Sequence, residues 1–508
     1  MSNQKKNNFG TEQCKELTDY FDNVFIYDRS LHYKDGYCYF LIRDEVEKFL
    51  IVMSDEVDLS ESGFVGEMNE INSQTFLKCK LTHENAVALR SKFDFTNPVL
   101  IGKVDSYGLG DRLGNAGAAH LRAIMGTGFK PVLAQQSIRE LERTKRTADE
   151  VLDAASWAVF QEGFHDGFGA DADHLKTTAD IDRMVKAGYT MFTIDPSDYV
   201  VNEALTMKPD KLKKNYENLP WEELDVQPNV HLAHYCKTSS PLSNGTILNP
   251  SEKEVLTGMV KYGHVIVHTK KMVDYLSDTY SDHPAEIELS VDETAQPTTP
   301  FEHYLIAAEM NRLGIDLVSL APRFCGDFEK GIDFKGDLDQ FRKEYELHLA
   351  IAEKFGGYKL SIHSGSDKFS VYEVIGSIDS GAVHVKTAGT SYLEALRTIA
   401  EVNPELFREI LKFSLSRFDE DKKTYHISAE PDEIPNPGDL TDKELPALLD
   451  DNDARQVLHV AYGSVLASPG ADKKEFKKRL MDSLSKDEDL YEENLEKHFI
   501  KHLEPFNQ

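Results

Sequence analysis

At 508 residues and 40% hydrophobic content the chain is long for one domain and can bury a sizeable core, so a large central domain with additions is expected. A formal charge of −30 excludes nucleic acid and anionic membrane as partners, because both need a basic footprint, but leaves small anionic substrates open to capture by a few local cations. The five cysteines (Cys14, Cys38, Cys79, Cys236, Cys325) lack paired spacing, and neither a signal peptide nor an apolar run of about 18 residues is present, which reads as a soluble protein of a reducing cytoplasm without a disulfide framework or zinc knuckle.

In chain order, residues 1–95 read as an N-terminal α/β appendage, with strands at Tyr37–Ile42 and Phe49–Met53 and a helix over Thr82–Phe93. From residue 96 strand and helix signals alternate. Strands are expected at Pro98–Asp105, Pro131–Gln136, His174–Lys176, Thr190–Asp195, Ile287–Asp292, Asp316–Ala321, Lys359–His363 and Ala382–Ala388. Helices are expected around Ala116–Met125, within Thr147–Gln161, through Met184, up to Leu313, over Leu338–Phe355 and over Ser391–Glu401. Eight such units imply an α/β chain folded as a (β/α)8 TIM-type barrel over 96–402, with an open doubly wound sheet as the runner-up. Polar strand faces favour the barrel: Thr193 with Asp195, Glu288 with Ser290 and Asp292, and Lys359 with Ser361 and His363. Strands covered on both sides read as continuous apolar runs, whereas a barrel mouth supplies polar partners. Residues 199–250 interrupt the fourth unit, as a lid over the mouth or an inert surface excursion. The tail, 403–508, reads as a helical C-terminal extension.

Three histidines, His174, His363 and His384, sit near the C-terminal ends of strands three, seven and eight. Three imidazoles with an open position suit a catalytic divalent metal; equally, neighbouring carboxylates could satisfy them. Asp105, Asp195, Asp292 and Glu293 lie at other strand ends and could complete the shell or move protons. Lys176 and Lys386 each follow a histidine by two residues, as Schiff-base or anion-holding lysines or as partners of carboxylates across the barrel. Arg112 and Arg323 are carboxylate forks or structural ion pairs. His165 reads as a loop residue, and Gly108-x-Gly110 and Gly126-x-Gly128 do not complete a nucleotide motif.

Four segments, Asp105–Gly114, Asp173–Thr177, Lys359–Phe369 and His384–Ser391, together resemble the tagaturonate epimerases (tagaturonate–fructuronate epimerases) of bacterial hexuronate catabolism, over most of the chain. The resemblance implies a divalent-metal-dependent isomerase that interconverts D-tagaturonate and D-fructuronate. It implies Asp173 and Glu293 as an acid/base pair, with His174, His363 and His384 on a metal that could be zinc, manganese, nickel or cobalt. The small keto sugar acid would be held by Lys176, Arg323, Lys386, Asp105 and Gln136, and a homo-oligomer is compatible with this reading. The two sugars differ at the carbon two bonds from the ketone, which retro-aldol cleavage and re-addition or direct proton transfer would invert. Two other readings are a Schiff-base aldolase using Lys386 or Lys176 and a non-catalytic sugar-acid-binding protein.

Overall fold

Strand–helix alternation closes into a barrel. The structure, a computed structural model, describes residues 24–507 apart from 55–56, 72–73, 379 and 469–474, together with 14, 15, 18 and 21. The barrel strands are β1 (Ser106–Leu109), β2 (Lys130–Ser137), β3 (Gly169–Leu175), β4 (Met191–Ile194), β5 (Glu286–Val291), β6 (Leu317–Pro322), β7 (Lys359–Ile362) and β8 (Val383–Thr387). Each pairs in parallel with the next, and β8 returns to β1 through His384↔Ser106 and Thr387↔Leu109. That closure rules out the open doubly wound sheet.

The first strand lies later than expected. Pro98–Asp105 runs under the N-terminal end of the barrel instead, with Gly102 at φ +75°, incompatible with an extended strand. Gly102 N donates to the Glu286 carboxylate at 3.0 Å, and Val99, Leu100 and Val104 are 43–50% exposed. Strand β3 starts five residues before the expected His174. Its Gly-Ala-Asp-Ala-Asp sequence carries no β-branched residue, so propensity is silent there.

Residues 25–80 form an antiparallel sheet with the helix His83–Lys92 beside it. Its inner face packs on the barrel helix Ala148–Glu162 through Trp157 and Phe160. A disulfide joins Cys14 to Cys38 there, correcting the reading of unpaired cysteines; folding brings together residues 24 apart, which spacing alone does not reveal. The insertion does not cover the mouth. Its helices Pro209–Glu217 and Pro228–Lys237 clad the outside of the barrel, where Tyr235 Oη donates to Glu309 at 2.7 Å and Ser240 Oγ meets Tyr304 Oη at 2.6 Å.

The C-terminal extension is the element that reaches the mouth. Helix Glu488–Leu503 packs against helices Gly117–Ile124 and Thr390–Val402, with Phe499 edge-on to His120 at 4.6 Å and Asn494 Nδ2 donating to Thr398 Oγ1 at 3.1 Å. Buried Glu488 accepts from Tyr27 Oη at 2.6 Å and pairs with Arg43 and Lys48, tying the N-terminal sheet to the same helix. Among the described residues no helix is long and apolar enough to cross a membrane.

Candidate active site

Side chains alternate along a strand, so Asp171 and Asp173 point into the barrel and His174 should point away. The register between β3 and β4 slips at that place. Phe192 pairs with Ala172 and Ile194 with Leu175, so Asp173 and His174 together oppose the single Thr193. His174 takes φ +57°, a left-handed conformation that costs a β-strand residue about 1–3 kcal/mol. The bulge turns both side chains to the mouth, where His174 Nδ1 and Asp173 Oδ1 meet at 2.8 Å. Strand β7 supplies His363, followed by Ser364 at φ +55°.

Below the histidines lies a charge cluster centred on Lys386. Its ammonium donates to Asp173 Oδ1 and Thr193 Oγ1 at 2.8 Å each and forms ion pairs with Asp171 Oδ2 at 2.7 Å and Glu288 Oε1 at 2.8 Å. Glu288 Oε1 also meets His363 Nε2 at 2.8 Å, and His363 Nδ1 stands 3.3 Å from Asp292 Oδ1. Asp173 and Glu288 therefore occupy one nitrogen of each imidazole, leaving His174 Nε2 and His363 Nδ1 for another partner.

Three carboxylates face the Lys386 ammonium and a fourth, Asp292, faces His363, so the site calls for further positive charge. Burial opposes it, yet Asp173 lifts His174 to a pKa of about 10, and Asp292 lifts His363 to about 9. A divalent cation meets the same demand. One donor atom from each of His174, Asp292 and His363 lies within 4.8 Å of the other two. Two imidazoles already oriented by carboxylates, with a third-ligand oxygen beside them, form a donor set that fits zinc-like ions.

His384 does not join that set. It pairs in register with Ser361, one inward step below His363, so it lies in the lower layer of the barrel, with Nδ1 2.9 Å from Ser106 Oγ. Burial drives its pKa down to about 3 and keeps it neutral. Asp292, which follows β5, stands beside His174 and His363 where the sequence placed a third histidine.

Above the cluster a cavity of about 290 Å³ opens at the C-terminal end of the strands. Asp173, His174, Asp292, His363 and Lys386 form its floor; Gln135, Arg139, Glu293 and Lys330 line its sides; Tyr425, His426 and His459 of the C-terminal extension cover it. Such a polar mouth, on a (β/α)8 scaffold, is where catalytic side chains gather. The model of a protein family described as tagaturonate epimerase matches residues 27–506.

The chain belongs to the tagaturonate epimerase family.

A relative from Thermotoga maritima named tagaturonate/fructuronate epimerase is 42% identical over 491 residues, covering 96% of this chain and 98% of that one. Two crystal structures of fructuronate-tagaturonate epimerase UxaE from Cohnella laeviribosi, one with a glycerol and one native, match with a TM-score of 0.89 at 38% and 37% identity. Each covers 97% of this chain and 99% of the solved one. The family is one of carbohydrate epimerases, so the chain is an isomerase.

In this family member the sequence-based site residues divide. Asp173, Glu293, His174, His363 and Lys386 meet at the cavity. Asp105 lies at the opposite end of the barrel, its carboxylate accepting from Val383 N at 2.8 Å. Gln136 points away from the cavity and donates to Asp111 O at 2.8 Å; the alternation of β2 gives the cavity its neighbour Gln135. Lys176 is bound outside it to Ser197 Oγ at 3.0 Å and Asp198 Oδ1 at 2.9 Å. Arg323 holds its own loop, through Thr294 O and Thr298 Oγ1. Asp195 caps the next turn at Ser197 N, 2.9 Å away.

Arg112 reaches the cavity wall, bonded to Glu140 at 3.0 Å and stacked 3.6 Å from the Tyr462 ring centre. Arg139, Lys330 and the C-terminal cover carry no signal of their own in the sequence. Only the capping box Ser137-Ile138-Arg139-Glu140 marks a helix starting at the mouth. The Gly108-x-Gly110 pair has a packing reason: a Cβ on Gly110 would stand 2.5 Å from Thr387 O, so β1 and β8 come this close only with glycine there.

Proposed function

We propose that this chain interconverts D-tagaturonate and D-fructuronate as a metal-dependent epimerase. The observation that carries the reading is the convergence of His174, His363 and Asp292 at the floor of a small polar cavity in a chain of this family. A divalent cation held by these three residues supplies Lewis-acid polarisation of the sugar's carbonyl and hydroxyl oxygens.

The chain's own groups do the rest. Arg139, exposed at the rim and without a hydrogen-bond partner among the described residues, together with Lys330, receives the sugar carboxylate. Asp173 Oδ1 is committed to His174 and Lys386, but Oδ2 has only Gln135 Nε2 at 3.5 Å, so that oxygen can take or return a proton. Glu293 stands at the rim as the second acid/base group. The hydrogen on the inverted carbon is beta to the ketone and weakly acidic, which favours retro-aldol cleavage: a carboxylate removes the hydroxyl proton, the fragment rotates and the bond re-forms. A Schiff base at Lys386 is disfavoured, because three carboxylates hold its ammonium charged well above the ordinary lysine range in spite of burial.

The test is conversion of D-tagaturonate in deuterated water with the product read by NMR. Fructuronate without deuterium at the inverted carbon is expected; no fructuronate overturns the assigned reaction, and stoichiometric label there replaces cleavage by proton abstraction.

A further inference from the structure

A second convergence of ligating side chains joins the C-terminal extension to the barrel. His498 and His502 stand one turn apart on helix Glu488–Leu503, which places both imidazoles on one face. That face meets the loop after β7, where Asp367 takes φ +59°. His498 Nε2 lies 2.5 Å and His502 Nε2 3.3 Å from one oxygen, Asp367 Oδ1. One donor atom from each residue lies within 4.8 Å of the other two, and all three residues are buried.

The outer positions are also filled. Glu394 Oε1 stands 3.3 Å from His498 Nδ1, and the Tyr107 hydroxyl 2.9 Å from His502 Nδ1. Arg455 Nη2 holds the other Asp367 oxygen at 2.8 Å. Metal-binding imidazoles are oriented in this way, by a partner on the nitrogen turned away from the ion, and ligating carboxylates are braced on their second oxygen.

We propose that Asp367, His498 and His502 form a second divalent-cation site, separate from the barrel mouth, which fastens the C-terminal helix to the β7 loop. Two imidazoles and one carboxylate suit zinc better than magnesium or calcium, which take oxygen shells. Tetrahedral bonds of about 2.1 Å separate donors by about 3.4 Å. His502 already stands at that spacing from Asp367, and His498 reaches it by moving outward by about 1 Å. A cavity of about 440 Å³ beside Asp367, Glu394, Arg455 and His498 gives the ion a route in and a place for a water as fourth ligand. The rival occupant is a proton, with a charged His498 bonded to Asp367 as an ion-free latch.

The test is zinc content of the full chain after saturation with zinc and removal of the excess, for wild type, His363→Ala, His502→Gln and the double variant. Two, one, one and no ions per chain are expected. Wild type with one ion and His502→Gln still with one overturns the proposal and leaves the mouth site standing. Wild type and His363→Ala with one ion each, and His502→Gln with none, upholds this site and removes the other. Anomalous diffraction at the zinc edge on wild-type crystals decides the matter without any variant: a peak between Asp367, His498 and His502 is expected, and density without a peak there overturns it.

Discussion

Replacing Lys386 with methionine keeps the length of the side chain and deletes its charge. Three carboxylates, Asp171, Asp173 and Glu288, then face one another within the reach that the ammonium now bridges at 2.7–2.8 Å, in a site where Lys386 is 4% exposed. Removing one member of a buried ion cluster costs about 3–5 kcal/mol, because the remaining charges lose their partner and keep their desolvation. The freed carboxylates bind protons more tightly in the folded than in the unfolded chain, so the sign of the pH dependence follows. Lys386→Met is least stable at and above neutrality and recovers as the pH falls and the carboxylates protonate. Asp173 and Glu288 also lose the group that fixes them behind His174 and His363, which should weaken metal binding by about 10–100-fold. Urea unfolding of the metal-free protein at several pH values, with zinc titration in parallel, measures both effects. A variant as stable as the wild type at pH 7.5, with unchanged zinc affinity, would refute the ionised cluster and its role behind the metal ligands.

Further outcomes follow from individual residues. Asp292→Asn should lose the ion at the mouth and turnover together, whereas His384→Gln should keep the ion; equal metal loss in both would reinstate His384 as the ligand. Arg139→Gln should raise KM for the sugar acid about tenfold with kcat little changed, since the rim contact is made alike to substrate and transition state. His120 is buried against Ser391 Oγ at 2.8 Å, and burial lowers its pKa to about 4. Its neutral form stabilises the fold above its unfolded pKa of about 6.5, and that stability, about 3 kcal/mol, drains away as the pH falls from there towards 4. His120→Gln should therefore flatten the acid limb of unfolding stability, and an unaltered limb would show that this histidine does not titrate on unfolding.

The fold was legible because most barrel units carry their own local pattern: an apolar strand with a polar C-terminal end, then an amphipathic helix. The errors have local causes. Gly102 turns the apolar Pro98–Val104 run out of strand geometry, and the alanine–aspartate repeat of β3 hides a strand that packing imposes. Within the site, strand parity put His363 and Lys386 on the inward face that meets the cavity but could not give the depth of His384, which depends on the stagger of β8 against β7. The bulge at Asp173–His174 breaks parity outright, and nothing in Asp-Ala-Asp-His-Leu announces it. Arg139 comes from the first turn of the helix Ile138–Thr144, Lys330 from a loop, and Tyr425 and His459 from a tail far along the chain, so only the folded arrangement brings them to the cavity.

The central claim is that His174, His363 and Asp292 hold the ion on which epimerisation depends. The direct measurement is turnover of D-tagaturonate by wild-type protein stripped with chelator and then reloaded with zinc or manganese, with the mouth ion counted in the same samples. Activity that disappears with the ion and returns in proportion to its reoccupation of that site is the predicted result. Full turnover in protein shown to be metal-free would contradict it.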